Sequence, residues 1–358
     1  MSTLTQDRQV GDGPPDDRPS DERVLQVGLL RRLLLRPEVG ALVGALAVFA
    51  FFRIFDEKFT QVIGVSRFLD PASTLGIMAV AVALLMIGGE FDLSAGVMTG
   101  STGLLMGMLA TELEWNIWLA MLAALVFALV IGFVNGLLVT KTKLPSFIIT
   151  LGTFFLLRGA NTGVTRLVTD EVRVTGVNAA AGYDLAFNLL GRQVPILGGN
   201  FQIAIFWWIA LVALGTWVLR RTRIGNWIYS VGGDAGAARS VGVPIQRVKI
   251  SLFMLTSSAA WLVGMMRAVE LRGTVASEGI GQEFIFIIAA VIGGCLLTGG
   301  YGSVIGAALG ALIFGMTQTG IGFAGWDTEW FFSFLGAMLL FAVFVNDAVR
   351  KRAQEVRR

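Results

Sequence analysis

Ten long apolar stretches follow one another along this chain, separated mostly by short polar segments. An α-helix needs about 20 mostly apolar residues to cross the hydrocarbon core of a bilayer. The stretches are continuous rather than alternating, which argues against a transmembrane β-barrel. The sequence therefore predicts an all-α polytopic membrane protein with about ten transmembrane helices. We place these helices at about residues 39–55, 73–88, 93–110, 117–139, 146–160, 201–219, 250–266, 284–298, 303–320 and 330–346.

The composition indicates that lipid is the solvent for most of the chain. Only 15% of the 358 residues are charged, against roughly 25% in soluble domains. The chain has no histidine and one cysteine, Cys295, inside an apolar stretch. We therefore expect no His-based catalysis, no metal site and no intrachain disulfide. Basic residues lie at the ends of apolar stretches, so no nucleic-acid partner is indicated.

The placement of Lys and Arg predicts the orientation. With the N-terminus inside, 19 of the 28 basic residues fall in cytoplasmic segments, as the positive-inside rule requires. Both termini are then cytoplasmic. The Pro- and Asp-rich residues 1–38 are expected to form a disordered tail, residues 39–346 the transmembrane domain and residues 347–358 a basic tail. The transmembrane domain includes a long outer loop, 161–200, and a long inner loop, 220–249.

The inner loop contains a short predicted helix. Asp234 is a favourable N-cap, and Gly242 followed by Pro244 ends the helix. A helix on the cytoplasmic face is either a surface turn between two spans or an element that another protein can push. The residues that we assign to such docking are Gly233, Asp234, Ala237, Ala238, Arg239 and Gly242.

Asp92 is a carboxylate at the start of the third predicted span. A charge at the bilayer centre costs about 2.5–3.5 kcal/mol on insertion scales, so such residues line pathways or pair with other groups. Its position favours a second role, that of an N-cap for the third span. The candidate residues for a translocation pathway or gate are Asp92, Ser94, Asn135 and Thr150.

Pairs of glycines four residues apart recur in the predicted spans. This spacing places both glycines on one helix face and lets two backbones approach closely. We predict helix packing at Gly96 with Gly100 and at Gly306 with Gly310.

Four segments occur in order between about residues 70 and 346: Gly88-Gly89-Glu90-Phe91-Asp92-Leu93-Ser94-Ala95-Gly96; Asn135–Val139 with Pro145–Gly152; Gly225–Lys249; and Val291–Gly294 with Thr298–Gly306. Together they resemble the ribose-type permeases of bacterial ABC importers. The first resembles that family's Gly-Gly-x-x-Asp-Leu-Ser-x-Gly motif, the third its coupling loop and the fourth its Gly-rich C-terminal signature. Glu90 and Phe91 depart from the first motif, in which Gly-Ile is commoner.

The resemblance implies an ABC importer permease fold in the bacterial inner membrane. It implies pairing with a second permease subunit, identical or not, and ABC ATPase subunits that dock on the coupling loop. It also implies an extracytoplasmic sugar-binding protein. The chain itself would perform no catalysis and bind no cofactor, since ATP and Mg belong to the ATPase. In agreement, no Gly-x-x-x-x-Gly-Lys-Ser/Thr phosphate-binding motif is present.

Two alternatives remain open at the level of sequence. Branched-chain amino acid permeases are distant relatives with a similar Gly-rich C-terminal segment. A secondary transporter driven by H⁺ or Na⁺ would use buried carboxylates, and the candidates are Glu90, Asp92 and Glu270.

Overall fold

The computed structural model describes residues 37–142 and 144–355, with side chains described between Glu38 and Phe344. The tail predicted over residues 1–38 lies almost wholly outside the described part. Residues 347–355 continue the last helix. The helices are α1 Pro37–Phe55, α2 Val62–Ile87, α3 Ala95–Thr111, α4 Ile117–Thr142, α5 Ser146–Thr169, α6 Tyr183–Leu190, α7 Ala204–Arg221, α8 Arg223–Gly233, α9 Ala235–Ser240, α10 Ile245–Glu270, α11 Gln282–Ile292, α12 Val304–Phe323 and α13 Trp330–Glu355.

The all-α polytopic class is confirmed. Each of the ten predicted spans coincides with a helix in the described part of the chain, namely α1 to α5, α7 and α10 to α13. Seven of them are long and apolar enough to cross a membrane, whereas α3, α11 and the apolar part of α13 are shorter. Two short antiparallel strand pairs complete the fold: β1 Arg173–Thr175 with β4 Gly273–Val275, and β2 Gln193–Ile196 with β3 Gly199–Gln202.

The core of the bundle is formed by α2 and α12. Within their most apolar windows 78% and 72% of the residues are buried, against 17% in α1 and 22% in α5. A helix that is buried on all sides needs neighbours on all sides, and α2 packs against α7, α10, α11 and α12. The peripheral helices leave apolar side chains exposed, as expected where lipid is the solvent.

Five predicted boundaries were wrong, including the end of α13, which continues to Glu355 instead of ending at 346. Helix α2 begins at Val62, eleven residues early, and contains Pro71. Proline cannot donate to the carbonyl four residues before it; here the Thr319 hydroxyl donates to Arg67 O at 3.4 Å instead. Helix α5 continues to Thr169, and α10 begins at Ile245. These changes shorten the outer loop 161–200 and the inner loop 220–249. Helix α11 ends early, at Ile292, and residues 293–303 lie outside the helices.

The connections between helices fall into two groups. Strands β1 and β4 pair the segments after α5 and α10, which are outer segments in the predicted orientation. The inner group joins residues 88–94, 222–244 and 293–303: Gly300 N donates to Ile87 O at 2.9 Å, and the Tyr229 hydroxyl donates to Gly302 O at 2.8 Å. Alternate connections therefore meet at opposite ends of the bundle.

Candidate functional site

The inner loop presents a short helix to solvent. Asp234 has an extended backbone, and its carboxylate accepts hydrogen bonds from Gly236 N at 2.8 Å and Ala237 N at 3.0 Å. Asp234 is thus the N-cap of α9, as expected. Gly242, with φ of +83°, follows the end of the helix. Of the residues assigned to docking, Gly233, Asp234, Ala237, Arg239 and Gly242 are exposed, whereas Ala238 is 3% exposed and packs inward.

A second helix, α8, precedes α9, and we did not predict it. Thr222 is its N-cap and accepts from Gly225 N at 3.3 Å. Ile228 and Val231 are buried, one turn apart, after the buried Gly225. The three-residue spacing of these buried residues after a threonine cap was the sequence signal that could have predicted α8. Helix α8 carries α9 and anchors it to the bundle.

Three glycine-rich segments meet at one point, which we call the glycine junction. It consists of Gly89 after α2, Gly232 near the end of α8, and Gly299 with Gly300 after α11. A Cβ on Gly299 would lie 2.7 Å from Gly89 Cα and 2.8 Å from Gly232 O, and one on Gly232 would overlap Ile87 O. Backbone therefore touches backbone between the α2–α3 connection, the end of α8 and the loop after α11. The three segments are therefore packed against one another with no side chain between them.

The predicted packing glycines also lie in tight contacts. A Cβ on Gly306 would overlap Gly293 O, and one on Gly310 would overlap Ala289 O. These contacts hold α12 against α11. Gly96 and Gly100 of α3 face a different partner, the chain just before and at the start of α11, because Cβ atoms there would overlap Gly279 and Glu283 at Gly96 and Glu278 O at Gly100.

An ion pair joins the α2–α3 connection to the start of α10. The Lys249 ammonium contacts the Glu90 carboxylate, and both side chains are largely buried. Glu90 is one of the two departures from the family motif, so the pair adds a charged contact beside the glycine junction.

Three of the four pathway candidates, Asp92, Ser94 and Asn135, share one buried hydrogen-bond network, and Thr150 bonds to the backbone beside it. Ser94 donates to Asp92 Oδ1 through its hydroxyl at 2.5 Å and its backbone N–H at 2.9 Å. Asn135 of α4 donates to Ser94 Oγ at 3.1 Å and accepts from the Thr153 hydroxyl of α5 at 2.6 Å. The Thr150 hydroxyl accepts from Leu93 N at 3.0 Å. In this arrangement the network ties the α2–α3 connection to α4 and α5.

Asp92 does not occupy the predicted N-cap position. Helix α3 begins at Ala95, and Ser94 immediately precedes it without a side-chain capping bond. Burial raises the pKa of the Asp92 carboxyl to about 6, although the hydrogen bonds from Ser94 favour the charged form. The second carboxylate oxygen, Oδ2, is buried without a hydrogen-bond partner among the described residues.

The described residues include no group of three or more His, Cys, Asp or Glu side chains that could hold a metal ion. The site as a whole consists of an exposed capped helix, a backbone junction and a polar tie between helices.

The chain is similar to known permeases over most of its length. Residues 64–343 match the family described as "Branched-chain amino acid transport system / permease component". The inner membrane ABC transporter permease protein YjfF of Escherichia coli (strain K12) is 33% identical over 277 residues, 77% of this chain and 81% of the relative. The ribose import permease protein RbsC of the same strain is 30% identical over 87% of this chain and 94% of its own length. The fructose import permease protein FrcC of Rhizobium meliloti is 29% identical over 88% and 86%.

No solved structure matches the chain. The family match nevertheless spans most of the helical bundle and includes the glycine junction, the network around Asp92 and helices α8 and α9. The chain therefore belongs to the permease family described as branched-chain amino acid transport system permease components, and it is a transport permease rather than an enzyme.

Proposed function

We propose that this chain is the membrane-spanning permease subunit of an ATP-driven importer that carries a monosaccharide or a related polyol into the cell. The solute class rests on the relatives, whose names include ribose, fructose and xylose permeases, each matching 86–88% of this chain. The apolar helices and the inner-membrane relative make it a multi-pass inner-membrane protein.

The glycine junction is the observation that carries the mechanism. ABC ATPase subunits, which hold ATP and Mg, would dock on α9 and move α8 with it. Because Gly232 has no side chain to bend, its displacement passes to Gly89 and Gly299 through backbone contact. The movement thereby reaches both the α2–α3 connection and α11. Cargo would come from an extracytoplasmic sugar-binding protein on the outer side.

A second permease subunit is supported by α5. Arg158 lies midway along this helix and is exposed, although charged residues at membrane depth face protein or a water-filled cavity rather than lipid. Gly159 and Gly163 of the same helix have no atom near their Cβ positions. Small residues that leave a helix surface open are typical of helix–helix interfaces in membranes. We propose that α5 faces the second permease subunit and the water-filled path between the two.

An ion-coupled transporter is less well supported. Glu90 is paired with Lys249, and Glu270 accepts from Gln202 at 2.8 Å and lies 3.9 Å from Arg267. All three carboxylates named for ion coupling, Glu90, Asp92 and Glu270, lie at a helix end or in a connection.

Copurification tests the ATP-driven proposal. The tagged permease is isolated from detergent-solubilised native membranes, and its partners are identified by mass spectrometry. We expect an ABC ATPase with the wild type and its loss from Ala237→Asp combined with Arg239→Glu, because both side chains are exposed on α9. Arg192→Glu, an exposed residue on the outer side, is the matched control and should keep the ATPase. Absence of any ATPase from the wild type would contradict the proposal.

A further inference from the structure

A pocket opens in the outer half of the bundle, away from the inner site described above. It has a volume of about 190 Å³ and lies between α2, α3, α10, α11 and α12. That is smaller than the roughly 300–1,000 Å³ of sites for drug-sized ligands, which suits a solute of monosaccharide size. Arg267 and Gln318 lie one to two turns from the outer ends of their helices, so the pocket is within reach of the outer side.

The pocket exists because α3 lacks side chains on one face. At Gly96 and Gly100 the chain between β4 and α11 packs directly on the α3 backbone. This contact brings residues 278–282 down along α3, and α11 then starts within the bundle rather than at its outer end. Glu278 and Gln282 thereby become part of the pocket wall.

The polar lining matches a neutral polyhydroxylated solute. Gln282 and Gln318 are exposed and make no side-chain hydrogen bond within the described residues, so each has an amide donor and an acceptor free for hydroxyl groups. The Thr74 and Thr99 hydroxyls lie beside them. Vicinal hydroxyls of a sugar both donate and accept, and side chains with both capacities recognise them better than a lone charge would.

The charges around the pocket do not suit an anion. Arg267 Nε lies 3.6 Å from Glu278 Oε1, and the same guanidinium lies 3.9 Å from Glu270. Asp70 also interacts electrostatically with Arg267. Three carboxylates thus surround the single arginine, which leaves no unpaired positive charge for a carboxylate ligand.

The floor of the pocket is aromatic. Phe286 of α11 and Phe314 of α12 line it, and both are largely buried. An apolar ring face next to hydrogen-bonding amides fits a pyranose or furanose, which has C–H groups on its faces and hydroxyls on its rim.

From these features we infer that the outer pocket, centred on Gln282 and Gln318, is a subsite that binds a neutral monosaccharide on the outer side, before the solute enters the path between the two permease subunits. The inference rests on the proposed function and adds a location to it. The pocket shares no residue with the network around Asp92, so pathway function at that network is a separate hypothesis.

Protection from alkylation tests the subsite directly. The only native cysteine, Cys295, is 1% exposed, so a Gln318→Cys variant of the full chain has one accessible thiol. Spheroplasts that contain the intact importer are treated with a membrane-impermeant maleimide, with and without D-ribose, D-xylose, D-fructose or L-leucine at millimolar concentration. We expect labelling from outside, slowed at least threefold by at least one of the sugars and unchanged by leucine. Gln61→Cys, at the exposed outer start of α2, is the matched control and should be labelled equally under all conditions.

Uptake of the same radiolabelled solutes by wild-type cells separates the two proposals. If a sugar is imported but does not slow labelling of Gln318→Cys, or if that thiol is not labelled at all, the subsite is wrong and the importer stands. Protection by leucine instead of a sugar would identify an amino-acid pocket and overturn the inference. If the wild type imports none of the sugars, the proposed solute class itself fails.

Discussion

Asp92 makes hydrogen bonds through only one of its two carboxylate oxygens, Oδ1. Substitutions that keep or remove this acceptor should therefore differ in their effect on stability. Asp92→Asn keeps an acceptor for Ser94 and should leave stability close to that of the wild type. Asp92→Ala removes the acceptor and leaves the hydroxyl and the backbone N–H of the buried Ser94 without their partner, which should cost about 1–3 kcal/mol. Thermal unfolding in detergent, followed with a dye that fluoresces on reaction with Cys295, measures the difference. Equal losses in both variants would contradict the structural role of the network.

The Glu90–Lys249 ion pair predicts non-additive effects. Either Glu90→Gln or Lys249→Met leaves one largely buried charge without its partner and should lower the stability by about 3 kcal/mol. The double variant removes both charges and should recover most of that loss. A double-mutant cycle of unfolding temperatures in detergent checks this. Additive losses would mean that the two side chains do not interact in the membrane-embedded protein.

At the scale of elements, the glycine junction makes two neighbouring residues of α8 very different. A Cβ on Gly232 would overlap Ile87 O, whereas one on Gly233 would meet nothing within 4 Å. Gly232→Ala should therefore destabilise the protein by about 1–3 kcal/mol through overpacking. Gly233→Ala should be neutral or slightly stabilising, because alanine favours the helix by up to about 1 kcal/mol. The same unfolding assay compares the two variants, and equal behaviour would show that the junction is loosely packed.

At the scale of the whole molecule, the alternation of connections predicts which loops share a side of the membrane. Leu185 on α6 and Val241 after α9 are both exposed, by 57% and 79%, and belong to opposite groups. A membrane-impermeant maleimide should label Leu185→Cys in intact spheroplasts and Val241→Cys only after membrane disruption. The wild type, with its buried cysteine, should remain unlabelled. The reverse pattern would invert the orientation derived from Lys and Arg.

Hydropathy located the ten helices because lipid selects long apolar stretches regardless of tertiary contacts. The boundaries failed where a helix contains residues that hydropathy penalises. Arg158 and Arg166 lie within α5, and Pro71 lies within α2, where the carbonyl freed by the proline finds a hydroxyl from α12. A hydropathy average over neighbouring residues contains no information about the hydroxyl that bonds the carbonyl freed by Pro71. It also underestimates the length of α5, because it counts Arg158 and Arg166 against a helix.

The candidate site was predictable only in its local parts. Asp234 caps, and Gly242 follows, a helix within a few residues in the sequence, so capping rules were enough to place α9. The glycine junction joins residues that are more than 60 positions apart in the sequence, and the outer pocket takes its walls from five helices. Such contacts depend on how the bundle packs. The motifs indicated that their glycines were needed but not that three of the segments meet at one point.

If movement of a docked ATPase enters through α8 as proposed, the absence of side chains at the glycine junction separates this energy input from the choice of solute. A contact made of peptide groups has no side chain that could distinguish one solute from another. Its geometry does not depend on which side chains are present elsewhere in the protein. Substitutions in the outer pocket can therefore alter the preferred solute without changing the contacts that would pass movement from α8 to the α2–α3 connection and α11. One inner mechanism can therefore serve many cargoes, and redesigning this permease for another sugar should require changes on the outer side alone.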